Sequence, residues 1–515
     1  MNLKDFLVNS ARLFPDKTAV IFREKRLTYG ELYRDTCICG SALRNMGVKK
    51  GDSICIAARN CVEYLELIFG CSMIGAVPCL INWRLSPEAL AEMAWETDPK
   101  ALFISNTDMS KTAALNDGRD GNAVRVISIC DDPQLPSDFE EFCRTGDGKL
   151  EFEETEDSDI GMILFTSGTT GRAKGVMLSC RALVTQICST AACARWSHDE
   201  RFMCVSPICH SISLSVITSI FVGGTLVLCP PEYLKEPEKM LAVLEEERIT
   251  RMALVPTVIE RIVSCAESRG LTNSTLRLIS YGASPMNPSL IMRCRKVFSC
   301  RFHQGYGMTE AYGTITALLP EDHDRPELLG SVGRPMIGCY VKIVGEDGAE
   351  LPPGQTGEIA VKTETLMQGY LGRPELTEQV MRDGWYYSGD IGYVDEKGYL
   401  YLTDRKSSMI ITGGENVFPA EVENCILTLA PDVKEVSVAG IPDPVWGEMI
   451  VAAVVKREDS SLTGDDIAAY CRRRLGSFKK PKRILFVDSL PINNCGKVSR
   501  EMVKELFLNG QENRA

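Results

Sequence analysis

The chain has 515 residues, more than one compact core holds, so at least two domains are expected. Its 44% apolar and 24% charged content is ordinary for a soluble globular protein, and a net charge of −12 argues against a nucleic-acid or anionic-membrane partner, because either needs a basic face. Four histidines, and 21 cysteines without a CxxC pair, argue against a zinc site. The N-terminus, MNLKDFLVNSARLFPDK, is charged throughout and lacks the long apolar core of a secretory signal, which points to a reducing cytoplasm with the thiols acting as small buried hydrophobes.

In chain order, Thr28 and Glu31 have the spacing of a capping box and predict a helix ending near Gly47, and SICIAAR (Ser53 to Arg59) reads as a strand. Further strand candidates are ALFIS, AVRVISI, GMILFT, TLVLC, RMALV and LRLISYG, separated by helical stretches such as EKMLAVLEEERI. The alternation predicts largely parallel sheets covered by helices, with phosphate-type ligands beyond the carboxyl ends of strands.

The stretch FTSGTTGRAKG (Phe165 to Gly175) follows the apolar run Ile160 to Phe165 and sets Thr166, Ser167, Thr169 and Thr170 among Gly168 and Gly171. It fails the P-loop pattern, since Lys174 is flanked by Ala173 and Gly175. Ser/Thr/Gly clusters are usually surface turns. After a strand and with a lysine beyond, the same residues can wrap anionic oxygens: glycines let backbone N–H groups turn inward, hydroxyls donate, and Lys174 or Arg172 adds positive charge.

Met203 to Pro231 carries no formal charge, and SISLSVITSIFVGGTLVLC within it is long enough to span a bilayer. Its serines and threonines and the Gly223-Gly224 pair predict instead a buried helix up to Val222 and a strand from Thr225 to Cys229, without a membrane span. From about Cys339 the texture changes: CYVKIVGEDGAE, GEIAVKT and GYVDEKGYLYLTDR predict an antiparallel subdomain with turns at EDG and DEKG. After Arg405, EVENCILTL and DDIAAYCRRRL read as helices, VSVAGI and IVAAVVKR as strands, and SFKKPKR as a basic segment, giving a separate small domain.

Four later stretches mean little singly. QGYGMTE (Gln304 to Glu310) gathers an aromatic ring, small residues, a threonine and a carboxylate; WYYSGD ends in Asp390; TDRKSSMIITGGENVFPAEVE follows from Thr403; LPINNCGKVSR supplies Lys497. Alone, SGD and TDR are usually turns, a lysine beside glycine is usually solvated, and Glu310 after Thr309 would serve as a helix-start carboxylate. Together and in this order they resemble the adenylate-forming superfamily, specifically AMP-forming acyl-CoA synthetases, over essentially the whole chain.

The resemblance implies an α/β protein with a large N-terminal domain of helix-covered sheets carrying an antiparallel β subdomain, plus a small mobile α+β C-terminal domain; the division is 1–404, a hinge at 405–408, and 409–515. The loop from Thr166 through Ser167, Gly168, Thr169, Thr170 and Gly171 to Lys174 would hold the β- and γ-phosphates of ATP. Tyr306 would lie against the adenine, with Gly307 beside it and the backbone of Gly282, Ala283 and Ser284 near it. Asp390 would accept from both ribose hydroxyls, and Arg405 would donate to ribose or phosphate oxygens. Thr309 would contact the α-phosphate, Lys497 would bridge it to the substrate carboxylate, and His210 would border the acyl pocket, making these three the implied catalytic set. Mg2+ takes oxygen ligands, here Glu310 with Thr166 as a second contact. After rotation of the small domain, Gly413, Gly414 and Glu415 would line a pantetheine tunnel, and SFKKPKR would either meet CoA phosphates or stay a solvated basic loop.

The implied activity is a carboxylic acid:CoA ligase using ATP and CoA on a fatty or other apolar small-molecule acid, with homo-oligomerisation left open. The alternative is a free-standing enzyme that loads an amino or aryl acid onto a carrier protein; an amino-acid activator would want a pocket aspartate, and none is near His210 or Gly282. A non-catalytic nucleotide binder would not need Glu310, Asp390, Arg405 and Lys497, whereas a luciferase-like oxygenase shares these motifs. Departures from the family pattern are Ala173 for a frequent proline, Cys180 for a frequent histidine, the diverged SPICHS, and Ser407-Ser408 where a charged pivot is followed by an acidic residue.

Overall fold

In the computed structural model, which describes residues 1–116, 124–166, 173–273, 275–282, 286–429, 432–492 and 498–512, the apolar runs of the N-terminal half build two sheets. The nine-stranded sheet has a parallel middle, in spatial order Thr18–Phe22, Thr225–Leu228, Arg201–Cys204, Arg251–Leu254, Leu278–Gly282 and Arg301–Met308, with antiparallel strands at both ends. In the seven-stranded sheet Ile160–Thr166, Val77–Leu80, Ser53–Ala57, Ala101–Ser105 and Arg125–Ile129 run parallel, and Lys174–Ser179 and Gly369–Tyr370 extend it antiparallel. Strands such as ALFIS and TLVL are buried at every position, as both-face burial of a parallel sheet requires.

The local signals act where they fall. Thr28 caps Tyr29–Asn45: its hydroxyl accepts from the Glu31 amide at 3.2 Å, and the Glu31 carboxylate accepts from the Thr28 amide at 2.8 Å. The uncharged stretch after Met203 forms the helix Ser213–Phe221 and the strand Thr225–Leu228. No described helix is long and apolar enough to cross a membrane.

An antiparallel sheet follows, formed by Cys339–Val344, Gly357–Thr363, Met381–Arg382, Trp385–Val394 and Leu400–Arg405. The last sheet pairs Glu415–Val417, Ile410–Thr412, Gly447–Lys456 and Val433–Asp443, with Arg483–Phe486 parallel to Gly447–Lys456. One face packs on helices Pro419–Leu427 and Gly464–Leu475, through Ile426, Ile467 and Cys471, and the other on Arg500–Glu512 through Val503 and Phe507. Two compact units result: Met1–Val341 with Val361–Tyr386 and Gly398–Leu400, and Lys342–Ala360 with Tyr387–Lys397 and Tyr401–Ala515.

The described cysteines are free and most are buried, but Cys130 and Cys188 are exposed and Cys143, Cys193 and Cys265 half-buried, so the expectation of buried thiols is not met at these positions. Glu66 is 5% exposed on the helix Val62–Met73. Loss of hydration, then the nearby Glu63, push its carboxyl up to about 8, with Lys25 opposing. The folded chain therefore holds this proton more tightly than the unfolded one, and stability falls as pH rises from the ordinary carboxylate range to about 8, then levels. Glu66→Gln is expected to flatten that decline and to gain at least about 1 kcal/mol at pH 8. Urea midpoints of both proteins at about pH 5.5 and about pH 8 measure it; parallel declines would assign the effect to another group.

Candidate active site

Ile160–Thr166 and Lys174–Ser179 form a hairpin whose last cross-strand pair is Thr166 opposite Lys174. The sequence leads one to expect a strand feeding a loop; the structure adds a returning strand, so Lys174 is the first residue of a ladder, placed by its pairing and not by the loop tip. Ser167, Gly168, Thr169, Thr170, Gly171 and Arg172 lie outside the described residues, as do Ala283, Ser284 and Lys497.

The turn carrying the candidate metal ligand packs against this hairpin. Arg301–Met308 ends the parallel run, and Thr309–Ala311 makes a single 3-10 turn before the chain returns as Gly313–Leu318. Tyr312 closes the turn in the left-handed region at φ 51°, uncommon for a bulky residue, and is fully buried; its amide donates to the Thr309 carbonyl at 2.8 Å. The Glu310 carbonyl accepts from the Met367 amide at 2.7 Å, and its Oε1 accepts from the Tyr370 hydroxyl at 2.8 Å.

Tyr370 is held by the pairing of Gly369–Tyr370 with Lys174–Ser179, and the Lys174 ammonium lies over its ring, 5.0 Å from the centroid. Tyr386, 5% exposed, completes the group: burial, then the Glu310 carboxylate and the Tyr370 hydroxyl, push its phenol far above the ordinary tyrosine range. Burial and Glu310 raise Tyr370 likewise. Both are neutral donors at any physiological pH. Neither tyrosine was singled out from sequence. The only local mark of Tyr370 is a position between Gly369 and Gly372, and nothing in sequence ties it to a residue 60 positions earlier.

Tyr306 is buried on Arg301–Met308, paired with Thr316. Gly282 and Gly307 have structural reasons to be glycine: a Cβ on Gly282 would stand 2.6 Å from the Gly305 carbonyl oxygen, and one on Gly307 would stand 1.6 Å from that of Gly313. His210 lies in the turn between Arg201–Cys204 and the helix Ser213–Phe221, and its carbonyl accepts from the Ser213 amide at 3.0 Å.

In the second unit Asp390 sits inside the strand Trp385–Val394, not in the isolated turn that SGD suggests. Its Oδ1 accepts from Arg405 Nε at 2.9 Å; the Asp390 side chain is 10% exposed and that of Arg405 60%. Asp404 is almost wholly buried, receiving Arg500 at 3.0 Å and the Ala420 amide at 2.8 Å, while Arg500 also holds Glu423 at 2.8 Å. Ile492 forms an antiparallel bridge with Val498, the residue that follows Lys497 in sequence. Gly413 (φ 62°) and Gly414 (φ 83°) form the two-residue turn of the hairpin pairing Thr412 with Glu415, a left-handed pair that glycine alone adopts freely. In SFKKPKR, Lys479 is paired with Glu421 at 2.6 Å, and the Lys482 ammonium sits 3.2 Å from the Trp446 ring centroid.

The Glu310 carboxylate thus lies in a turn packed against the hairpin that carries Thr166 and Lys174, with the Tyr370 hydroxyl as its donor. The chain is matched by the family model of the AMP-binding enzymes over residues 7–371 and by that of the AMP-binding enzyme C-terminal domain over 421–497. It is 35% identical to a feruloyl-CoA synthase of Amycolatopsis sp. over 97% of this chain and 98% of that one. Its identity to long-chain-fatty-acid–CoA ligase FadD13 of Mycobacterium tuberculosis is 30% over 94% and 93%. The solved o-succinylbenzoate CoA synthetase of Bacillus subtilis, in complex with its acyl-adenylate intermediate, superposes with a TM-score of 0.82 at 28% identity, covering 97% of each chain. The chain belongs to the AMP-binding enzymes of the adenylate-forming superfamily, and is an acid–thiol ligase of the AMP-forming acyl- or aryl-CoA synthetase type.

Proposed function

We propose that this protein activates an apolar carboxylic acid, aliphatic or aromatic, with ATP and transfers the acyl group to CoA. The observation that carries the reading is the packing of the Glu310 turn against the Thr166–Lys174 hairpin, which gathers a carboxylate, a hydroxyl and an ammonium beside a glycine- and hydroxyl-rich loop. In the first half-reaction the substrate carboxylate attacks the α-phosphorus of ATP and pyrophosphate leaves. Both reactants are anions, so the site must supply positive charge and oriented donors more than a protein nucleophile. Lys174 and the loop hydroxyls serve the departing phosphates, Thr309 and Lys497 the α-phosphate, and Asp390 with Arg405 the ribose. Mg2+, held by Glu310 and Thr166, would neutralise phosphate charge. In the second half-reaction the CoA thiolate attacks the acyl carbon, and the bond to AMP breaks. His210 borders the acid, and Gly413, Gly414 and Glu415 border the pantetheine.

Screening a panel of carboxylic acids for AMP release with and without CoA tests the reading. Acid-dependent AMP release that requires CoA and yields the thioester is the expected result; release that no acid stimulates would overturn it. The acid that gives the fastest thioester formation assigns the substrate among fatty and aryl classes.

The same reading makes residues 405–408 the pivot between a large domain, 1–404, and a small one, 409–515. Lys406–Ser408 forms one 3-10 turn, whose φ values proline accepts. Ser407→Pro is expected to trap one orientation, keeping ATP–pyrophosphate exchange while losing most thioester formation, with little change in melting temperature. Parental thioester synthesis by this variant would move the pivot elsewhere.

A further inference from the structure

We infer that Tyr370, supported by Tyr386, is a positioning residue for the Glu310 carboxylate, fixing it in the orientation that receives the divalent cation of the nucleotide. The inference rests on the reading of Glu310 as metal ligand given above. A glutamate on a single 3-10 turn has several rotatable bonds between its backbone and its oxygens, and ordering them at the moment of binding weakens affinity. Here the ordering is built in at both ends. The Met367 amide fixes the Glu310 carbonyl at 2.7 Å, and the Tyr370 hydroxyl fixes Oε1 at 2.8 Å. Met367 and Tyr370 lie three residues apart on one returning segment, and Gln368, between them, is bound to the hairpin strand through its amide and the Met177 carbonyl at 2.9 Å.

The chemistry of the partner matters as much as its place. A lysine or arginine in this position would neutralise the carboxylate and compete with a metal ion for it, whereas a phenol orients the oxygen and leaves the negative charge for the cation. The Lys174 ammonium, over the Tyr370 ring face at 5.0 Å, draws electron density from the ring and makes its hydroxyl a better donor. Lys174 thereby links the phosphate hairpin to the carboxylate through the ring. Tyr386 is buried, and its phenol feels both the Tyr370 hydroxyl and the Glu310 carboxylate.

Tyr370→Phe keeps the ring, its packing and the Lys174 contact, and removes only the donor. The affinity of Mn2+ for the ATP-bound protein, measured from the paramagnetic resonance signal of the free ion, is expected to fall by about 10-fold, the lower end of the range for outer partners of metal ligands. The Mg2+ midpoint of pyrophosphate exchange should rise by a similar factor, with the rate largely restored at high Mg2+ and the melting temperature little changed. A purely structural role would instead lower the melting temperature and leave the metal dependence alone. Tyr386→Phe should shift the same two quantities in the same direction by less, and serves as the second variant should Tyr370→Phe fold poorly. Parental Mn2+ affinity in Tyr370→Phe alongside weakened affinity in Glu310→Gln overturns the positioning role alone. Parental affinity in Glu310→Gln overturns the metal reading of Glu310 and this inference with it.

Discussion

Lys497→Ala is expected to lower acid-dependent ATP–pyrophosphate exchange by about 10²–10³-fold, the usual loss when one donor to a developing oxyanion is removed. Thioester formation from a supplied acyl-adenylate should stay near the parental rate, because the lysine is proposed to act only in the first transition state. The two half-reactions thus separate in one variant. The residues that flank Lys497 are held independently of it: Ile492 bridges Val498, and Arg500 is bound to Asp404 and Glu423. Removing the Lys497 side chain should therefore leave the fold intact. Near-parental exchange would show that the assignment of Lys497 is wrong.

Asp390→Ala should weaken ATP binding on the order of 10²-fold, since two charge-assisted hydrogen bonds to the ribose, each worth roughly 1.5 kcal/mol at the lower end of the net range, would be lost. Pyrophosphate alone should bind almost as before. Asp390 is paired with Arg405 at 2.9 Å, but the arginine side chain is 60% exposed, so the ion pair itself adds little to stability and the melting temperature should move little. Calorimetric titration with ATP and with pyrophosphate separates the possibilities. Equal losses for the two ligands would remove the ribose role.

The legible part of the fold was carried by short-range signals. Thr28 with Glu31, Gly223-Gly224 in the uncharged stretch, and the EDG and DEKG turns each act within a few residues of themselves, and each stands where the pattern places it. The order of strands within the sheets depends on which apolar runs meet, which no local pattern states. The Glu310 group marks the same boundary within the site. QGYGMTE identifies Glu310 as a candidate, but its partner Tyr370 is brought to it by the addition of a two-residue strand to the edge of the seven-stranded sheet, and Tyr386 comes from a strand of another sheet. Asp390 was found as a residue, but its setting differs from what SGD alone suggests: the tripeptide is turn-like in composition, yet Asp390 lies inside the strand Trp385–Val394. The glycines at Gly282 and Gly307 were read for their ligand, yet carbonyl oxygens of neighbouring strands already exclude a side chain there.

The hairpin that pairs Thr166 with Lys174 has a consequence for how such enzymes diverge and for how this one could be altered. Thr166 and Lys174 are anchored by the ladder behind them, so a change in the insert between them leaves its two ends in place. Substitution of a proline by Ala173, one step before the anchored lysine, is a change of that kind. Loop exchange between relatives should then carry over phosphate-end preferences without disturbing the acid-binding half. Libraries confined to the insert would explore leaving-group chemistry separately from acyl selectivity.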